Sequence, residues 1–200
     1  MLTPESERLV AEGWSGRRDP PLRMFRPAVM EAFFRSPPWL PFFWLPPLIA
    51  LAPIGPETLA GAVSWLLLEY LMHRFFFHLP GDSQAARGVR FVVHEHHHAC
   101  PMDEGRIVAT PWQIASALGV IAAVASVLTP SWTSVTAGAA LAYLAYEAIH
   151  YRIHHETGGG RILRALRRHH LAHHARPERG FGISSPLFDY LLGTRTRPPR

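Results

Sequence analysis

The sequence predicts an all-α integral membrane protein: about four transmembrane helices in two hairpins, with a cytosolic histidine-rich helical cap over a dimetal site. Three observations carry this. Two long runs, Trp39 to Met72 and Pro111 to Tyr146, are nearly free of charge. Most arginines lie between and outside those runs. All thirteen histidines fall into four short groups in the same segments or at the ends of the apolar runs.

The composition agrees. Hydrophobic residues make up 48% of the chain and charged ones 18%, against about 25% charged in a typical soluble domain. The net charge is +5, and every basic residue is Arg. These arginines flank apolar segments, as at a membrane surface, so no nucleic-acid partner is expected. The single cysteine, Cys100, excludes an internal disulfide and any paired-cysteine zinc or redox motif. The opening "MLTPESERLVAEG" lacks the basic-then-apolar pattern of a cleaved signal peptide.

Residues 1–36 are polar, rich in Arg and interrupted by Pro, and are expected to form a cytosolic surface arm with a short helix. The membrane domain is expected over 37–200. Its first hairpin, about 37–78, is divided by "PIGPET". The second part, from about residue 57, is long enough to cross a hydrocarbon core at about 1.5 Å per residue. The first part carries Pro41, Pro46 and Pro47, which kink an interior helix, so a bent or partly inserted arm is expected. The second hairpin, about 111–155, is divided by "LTPSW" into halves of about 17–18 residues, short but sufficient.

Two hairpins place the N-terminal arm, residues 79–110 and residues 156–200 on one side. That side carries Arg17, Arg18, Arg23, Arg26, Arg35, Arg87, Arg90, Arg106 and the "RILRALRR" run, whereas the outer turns carry none. The positive-inside rule makes it the cytosol. The expected localisation is a multi-pass protein of a bacterial inner membrane, with both termini and the histidines cytosolic.

Helical spacing selects among the histidines, because positions i, i+3 and i+4 share a face. His94, His97 and His98 satisfy it, as do His170, His173 and His174, and His150 and His154 form an i, i+4 pair. His73 and His78 are five apart, about 140° around an ideal helix, so they are expected to approach from different sides or to bind different ions. These ten exceed what one ion accepts, and two metal ions follow. Imidazole suits Zn, Cu, Fe and Ni alike. His96 points off the ligand face, so His96→Ala is expected to be tolerated better than His97→Ala. His155 and His169 adjoin strong candidates, and with His96 they are the additional or outer groups. Metal-bound imidazoles pass their second N–H to a carboxylate or carbonyl. Glu69, four before His73, and Glu147, three before His150, are placed for that role. Asp103 and Glu95 read as solvated loop charges or helix caps.

The order "EYLMHRFFFH", "HEHHHACPMDEGRIVATP", "YEAIHYRIHH" and "LRRHHLAHHARPERGFGISSPLFDYLLGT" resembles the fatty acid hydroxylase / sterol desaturase superfamily. Pro101, Asp103 and Arg106 and the "FGISSPLFDYLLGT" ending are similar to its fatty acid 2-hydroxylase branch. The resemblance covers about residues 60–195. It implies a membrane fold with a cytosolic cap over a dimetal centre that hydroxylates an acyl chain at the carbon beside the carboxyl, using O2. Iron is expected in the active form, with zinc as the alternative occupant of isolated protein. The substrate implied is a membrane lipid or fatty acyl chain, and the electrons are expected from a separate donor such as a ferredoxin or cytochrome with its reductase. Trp65, Tyr70, Phe75, Phe76 and Phe77 are candidates to line the acyl path, with lipid-facing packing the expected role of most of them. A carotenoid-ring hydroxylase or sterol-type oxidase of the same superfamily stays open, as does a membrane metal-binding protein without redox chemistry.

Overall fold

The structure is a computed structural model that describes residues 1–12 and 21–196. Among these residues every extended element is helical, and one isolated bridge pairs Leu2 with Phe25. Helices α1 (Pro4–Glu12), α2 (Ala28–Phe33) and α3 (Leu40–Ala50) precede α4 (Pro56–Leu71), which runs into a π-helical turn at Met72–Phe77. Helix α5 (Gln84–Arg90) passes through a second π-helical stretch, Phe91–Glu95, into α6 (His96–Ala99). Helices α7 (Pro111–Leu128), α8 (Trp132–His155), α9 (Arg161–Ala175) and α10 (Leu187–Leu191) complete the chain.

Local signals set the helix starts. Pro56 and Pro111 occupy first-turn positions, where a missing N–H costs nothing. The Thr58 hydroxyl accepts from the Gly55 amide at 3.1 Å, and Gln113 accepts from the Thr110 amide at 2.8 Å. Ser83 caps α5 by accepting from the Ala86 amide at 3.2 Å.

The central pair is α4 with α8, which cross backbone against backbone. A Cβ at Gly61 would strike the Val135 carbonyl, and one at Gly138 the Thr58 carbonyl, so any side chain there forces the helices apart. Trp65 packs on Tyr143 with ring centroids 5.1 Å apart. Leu45 and Ile49 of α3 and Ile114, Leu118 and Ile121 of α7 join the same core.

The span count differs from expectation. Of the four spans read from the sequence, only α7 is by itself long and apolar enough to cross a membrane. Helix α3 has 11 residues, about 16 Å at a helical rise, and holds Pro46 and Pro47 in its interior. Regular α4 ends at Leu71 because the chain widens into the π-helical turn. Helix α8 has the length, 24 residues, but its last turns carry Glu147, Arg152 and three histidines.

The N-terminal arm carries the short helix α1 and packs inward. Leu9, Val10, Leu22, Met24 and Phe25 bury against Phe91, Ala99 and Cys100, so it clamps the histidine-rich segment from outside. Asp103 is not a solvated charge: it is 3% exposed, receives Arg106 Nη1 at 2.6 Å and pairs with Arg35 Nη2 at 3.1 Å. Arg106 Nη2 reaches on to Glu31 of α2.

Candidate metal centre

Four segments bring their histidines to the same end of the α4–α8 pair: the π-helical turn after α4, the π–α6 segment, the end of α8 and the end of α9. The nitrogens of His73, His78, His94, His98 and His173 form one group, and those of His97, His154, His170 and His174 a second, each within 4.8 Å of one another. His150 stands beside the second group, its Nε2 3.2 Å from that of His97.

The two HxxHH motifs are divided reciprocally. His94 and His98 face the first group while His97 turns to the second; in α9, His170 and His174 face the second while His173 turns to the first. The i, i+4 pair shares a nearly eclipsed face, whereas i+3 falls on the other side of that face's centre. A shared face thus serves two neighbouring clusters.

His73 and His78 do not approach from different sides. Both belong to the first group, with ring centroids 5.2 Å apart. A π-helical turn is closed by i→i+5 bonds, and the His78 amide donates to the His73 carbonyl at 3.2 Å. Five-residue spacing, misaligned on an α-helix, is the repeat of this turn.

The donor set fits metal ions. Nε2–Nε2 distances are 2.9 Å for His73–His94 and His94–His98, 3.2 Å for His78–His173 and 2.9 Å for His154–His170. Two imidazoles about 2.0–2.1 Å from one ion, at octahedral to tetrahedral angles, stand about 2.9–3.4 Å apart. Tautomers reinforce the point. His73 Nδ1 donates to the Phe181 carbonyl at 2.6 Å and His173 Nδ1 to the Arg179 carbonyl at 2.8 Å. Each Nε2 is therefore a bare lone pair turned toward other imidazole nitrogens, an arrangement a cation satisfies. Burial first, then neighbouring histidines, pushes His94, His97, His98, His170 and His174 well below the ordinary imidazole range. Burial likewise brings His173 down to about 4. All six are held neutral, the form that ligates.

The remaining candidates lie elsewhere. His96 is buried, with Nε2 3.1 Å from the Leu22 carbonyl, tying the arm to the cluster segment. His155 stacks on Tyr151 at 4.5 Å. His169 Nε2 donates to Asp189 at 3.1 Å. Glu69 does not contact His73: it accepts the Ile183 and Ser184 amides at 2.6 and 3.0 Å, with the Ser184 hydroxyl on its other oxygen. Glu147 accepts the Ala109 amide at 2.9 Å and so anchors the loop before α7. Each carboxylate is buried where backbone N–H groups need an acceptor, and the outer nitrogen of His73 is already served by the Phe181 carbonyl.

A cavity of about 350 Å³ runs between α4, α7 and α8, with Trp65, Phe76, Phe77, Trp112, Val120 and His73 among its lining. Val120 is 55% exposed and His73 1%, so the cavity joins the outer apolar face to the first cluster. Phe75 and Tyr70 are not in its wall: Phe75 lies under the Arg74 guanidinium, and the Tyr70 hydroxyl pairs with Thr194 at 2.9 Å. The Phe181 and Arg179 carbonyls and Asp189 escaped the sequence reading, because a backbone carbonyl has no residue signature and Asp189 is far from any histidine motif.

Comparison with known proteins is consistent with this geometry. The sequence model of a family described as fatty acid hydroxylase matches residues 58–194. The dihydroceramide fatty acyl 2-hydroxylase FAH1 of Arabidopsis thaliana is 31% identical, over 84% of this chain and 82% of that protein. The fatty acid 2-hydroxylase of Homo sapiens is 38% identical over 68% of this chain, and the match spans 38% of that longer protein. The solved structure of full-length scs7p, with only its hydroxylase domain visible, superposes with a TM-score of 0.77 at 24% identity, covering 100% of this chain and 81% of that one. That last likeness is one of fold.

Proposed function

Because the chain belongs to the fatty acid hydroxylase / sterol desaturase superfamily, in its fatty acid 2-hydroxylase branch, we propose that it is an O2-dependent hydroxylase of lipid-borne fatty acyl chains, acting at the carbon beside the carboxyl. The observation that carries this is the cavity: an apolar slot from the outer face ends on His73 of the first cluster. We assign the ten histidines above as ligands of two metal ions, iron in the active form.

Bound iron would supply the O2-activating redox chemistry that no side chain provides. The protein's own contribution is placement. Trp65, Phe76 and Phe77 exclude water from the slot and hold an extended chain by dispersion. His73 and His173, each fixed by a carbonyl on its outer nitrogen, keep their inner nitrogens aimed at one point. Hydroxylation inserts one oxygen atom into a C–H bond and reduces the other to water. That balance takes two electrons and two protons, for which we assign a separate donor protein such as a ferredoxin or cytochrome with its reductase.

The slot's mouth argues for a lipid surroundings. Val120 of α7, in the slot's wall, is exposed, as are Val124, Val127 and Leu128 further along the same helix and Phe43 and Leu48 of α3, apolar surface that water would penalise. We read both hairpins as membrane-inserted, α3 partly, with the histidine clusters on the cytosolic side.

The test is lipid profiling. Expression with a competent donor in a host lacking 2-hydroxy lipids should yield 2-hydroxy acyl chains in air and none without O2. Unaltered lipids in air, with iron bound, would exclude this activity.

A further inference from the structure

The loop 179–184, between α9 and α10, backs only one of the two histidine clusters. Its Arg179 carbonyl takes the outer N–H of His173 and its Phe181 carbonyl that of His73, at 2.8 and 2.6 Å. Both are first-cluster histidines. Among the described residues neither carbonyl reaches a histidine of the second cluster, where His170 Nδ1 is buried with no hydrogen-bond partner.

Two buried carboxylates from distant parts of the chain immobilise this loop. Asp189 Oδ1 accepts the Phe181 amide at 3.0 Å and its Oδ2 the Gly182 amide at 2.8 Å. Glu69, on α4, accepts the next two amides, Ile183 and Ser184. Four consecutive backbone N–H groups thus end on two side chains, and the carbonyls facing His73 and His173 cannot swing away without breaking those bonds. Asp189 is itself saturated, by Thr194 Oγ1 at 2.6 Å on Oδ1 and His169 Nε2 at 3.1 Å on Oδ2. Neither carboxylate touches a ligand imidazole, so both act through the loop.

We propose that Glu69 and Asp189 are positioning residues for the first metal site alone, setting its affinity through the carbonyls of Phe181 and Arg179 and leaving the second site unaffected. The proposal rests on the reading of the two histidine groups as metal sites. Hydrogen-bond reach, not charge, is the operative property at residue 69. A Gln there offers the same oxygen to Ile183 and Ser184 and its NH2 to the Ser184 hydroxyl, while an Asp keeps the charge but withdraws it by about 1.5 Å. At residue 189 an Asn puts an NH2 against two donors whichever way it turns, so it cannot substitute.

Full-length protein in detergent, stripped of metal, is titrated with cobalt(II), with its visible absorbance and a competing chelator reporting each affinity. Wild type is expected to take up two ions. Asp189→Asn and Glu69→Asp should each weaken one of the two affinities about 10–100-fold with the other unchanged, and Glu69→Gln should match wild type. Equal weakening at both sites, weakening at neither, or a Glu69→Gln variant behaving like Glu69→Asp would each overturn the proposal. If Asp189→Asn does not fold, the Glu69 pair alone decides. Wild-type protein that binds fewer than two ions would instead remove the metal-site reading on which it stands.

Discussion

Arg106 offers the sharpest energetic test. Its side chain is 6% exposed and joins two carboxylates, Asp103 at 2% and Glu31 at 13%. Glu31 also accepts the Met24 and Phe25 amides at 3.1 and 2.9 Å. Burial pushes the Glu31 carboxyl up, but the Phe25 amide and Arg106 together outweigh it and leave it below its usual value. Arg106→Met therefore leaves the buried Asp103 and the partly buried Glu31 with only the half-exposed Arg35 between them. Removing one partner of a buried pair costs about 3–5 kcal/mol, a large part of a total of roughly 5–15. For a chain of this size that corresponds to a fall of about 6–20 °C in Tm. Arg152→Ala is the control, since the Arg152–Glu156 pair is 49% and 42% exposed and breaking it should cost at most about 1 kcal/mol. Thermal melts followed by helical circular dichroism in one detergent compare the two. Adding Glu31→Gln and Asp103→Asn to Arg106→Met should restore much of the loss, because the uncompensated charge is then gone. An Arg106→Met protein no less stable than Arg152→Ala would refute the reasoning.

Three further outcomes follow from the site. Ala117→Trp, at a half-buried wall position of the cavity, should cut hydroxylated lipid at least tenfold with metal content unchanged; loss of metal would show that the change had acted on the fold. His97→Ala should cost one metal ion, while His96→Ala should keep both but weaken the arm by about 1–3 kcal/mol through the orphaned Leu22 carbonyl, read by metal analysis and by proteolysis of the N-terminus. The metal-free protein should lose stability as pH falls through about 6.5. His173, held at about 4 when folded, takes up its proton in that window only on unfolding, at about 1.4 kcal/mol per pH unit. His97, His98, His170 and His174, shifted the same way, add to the slope. Melts from pH 7 to 5 should fall steadily without metal, and a flat profile would count against neutral, buried imidazoles.

The chemistry was legible in the sequence because ligand type and local spacing are one-dimensional properties. Thirteen clustered histidines and two HxxHH repeats are enough to anticipate two histidine clusters able to hold metal ions, and the uncharged runs are enough to anticipate apolar helices, of which α7 is long and apolar enough to cross a membrane. How the histidines divide was decided by tertiary structure. Spacing placed His94, His97 and His98 on one face, but only the packing of the turn after α4 (His73, His78) against His94 and His98, and of the end of α8 (His154) against His97, with α9 serving both groups, divides them. His73 and His78 meet because the chain leaves α4 through a π-helical turn, a departure from 3.6 residues per turn that periodicity arguments assume away. Asp103, Glu69 and Asp189 could not be valued in advance for the same reason. A carboxylate's role depends on which distant amide or guanidinium folding buries against it, and desolvation turns that contact from a weak surface charge into a fixed part of the site.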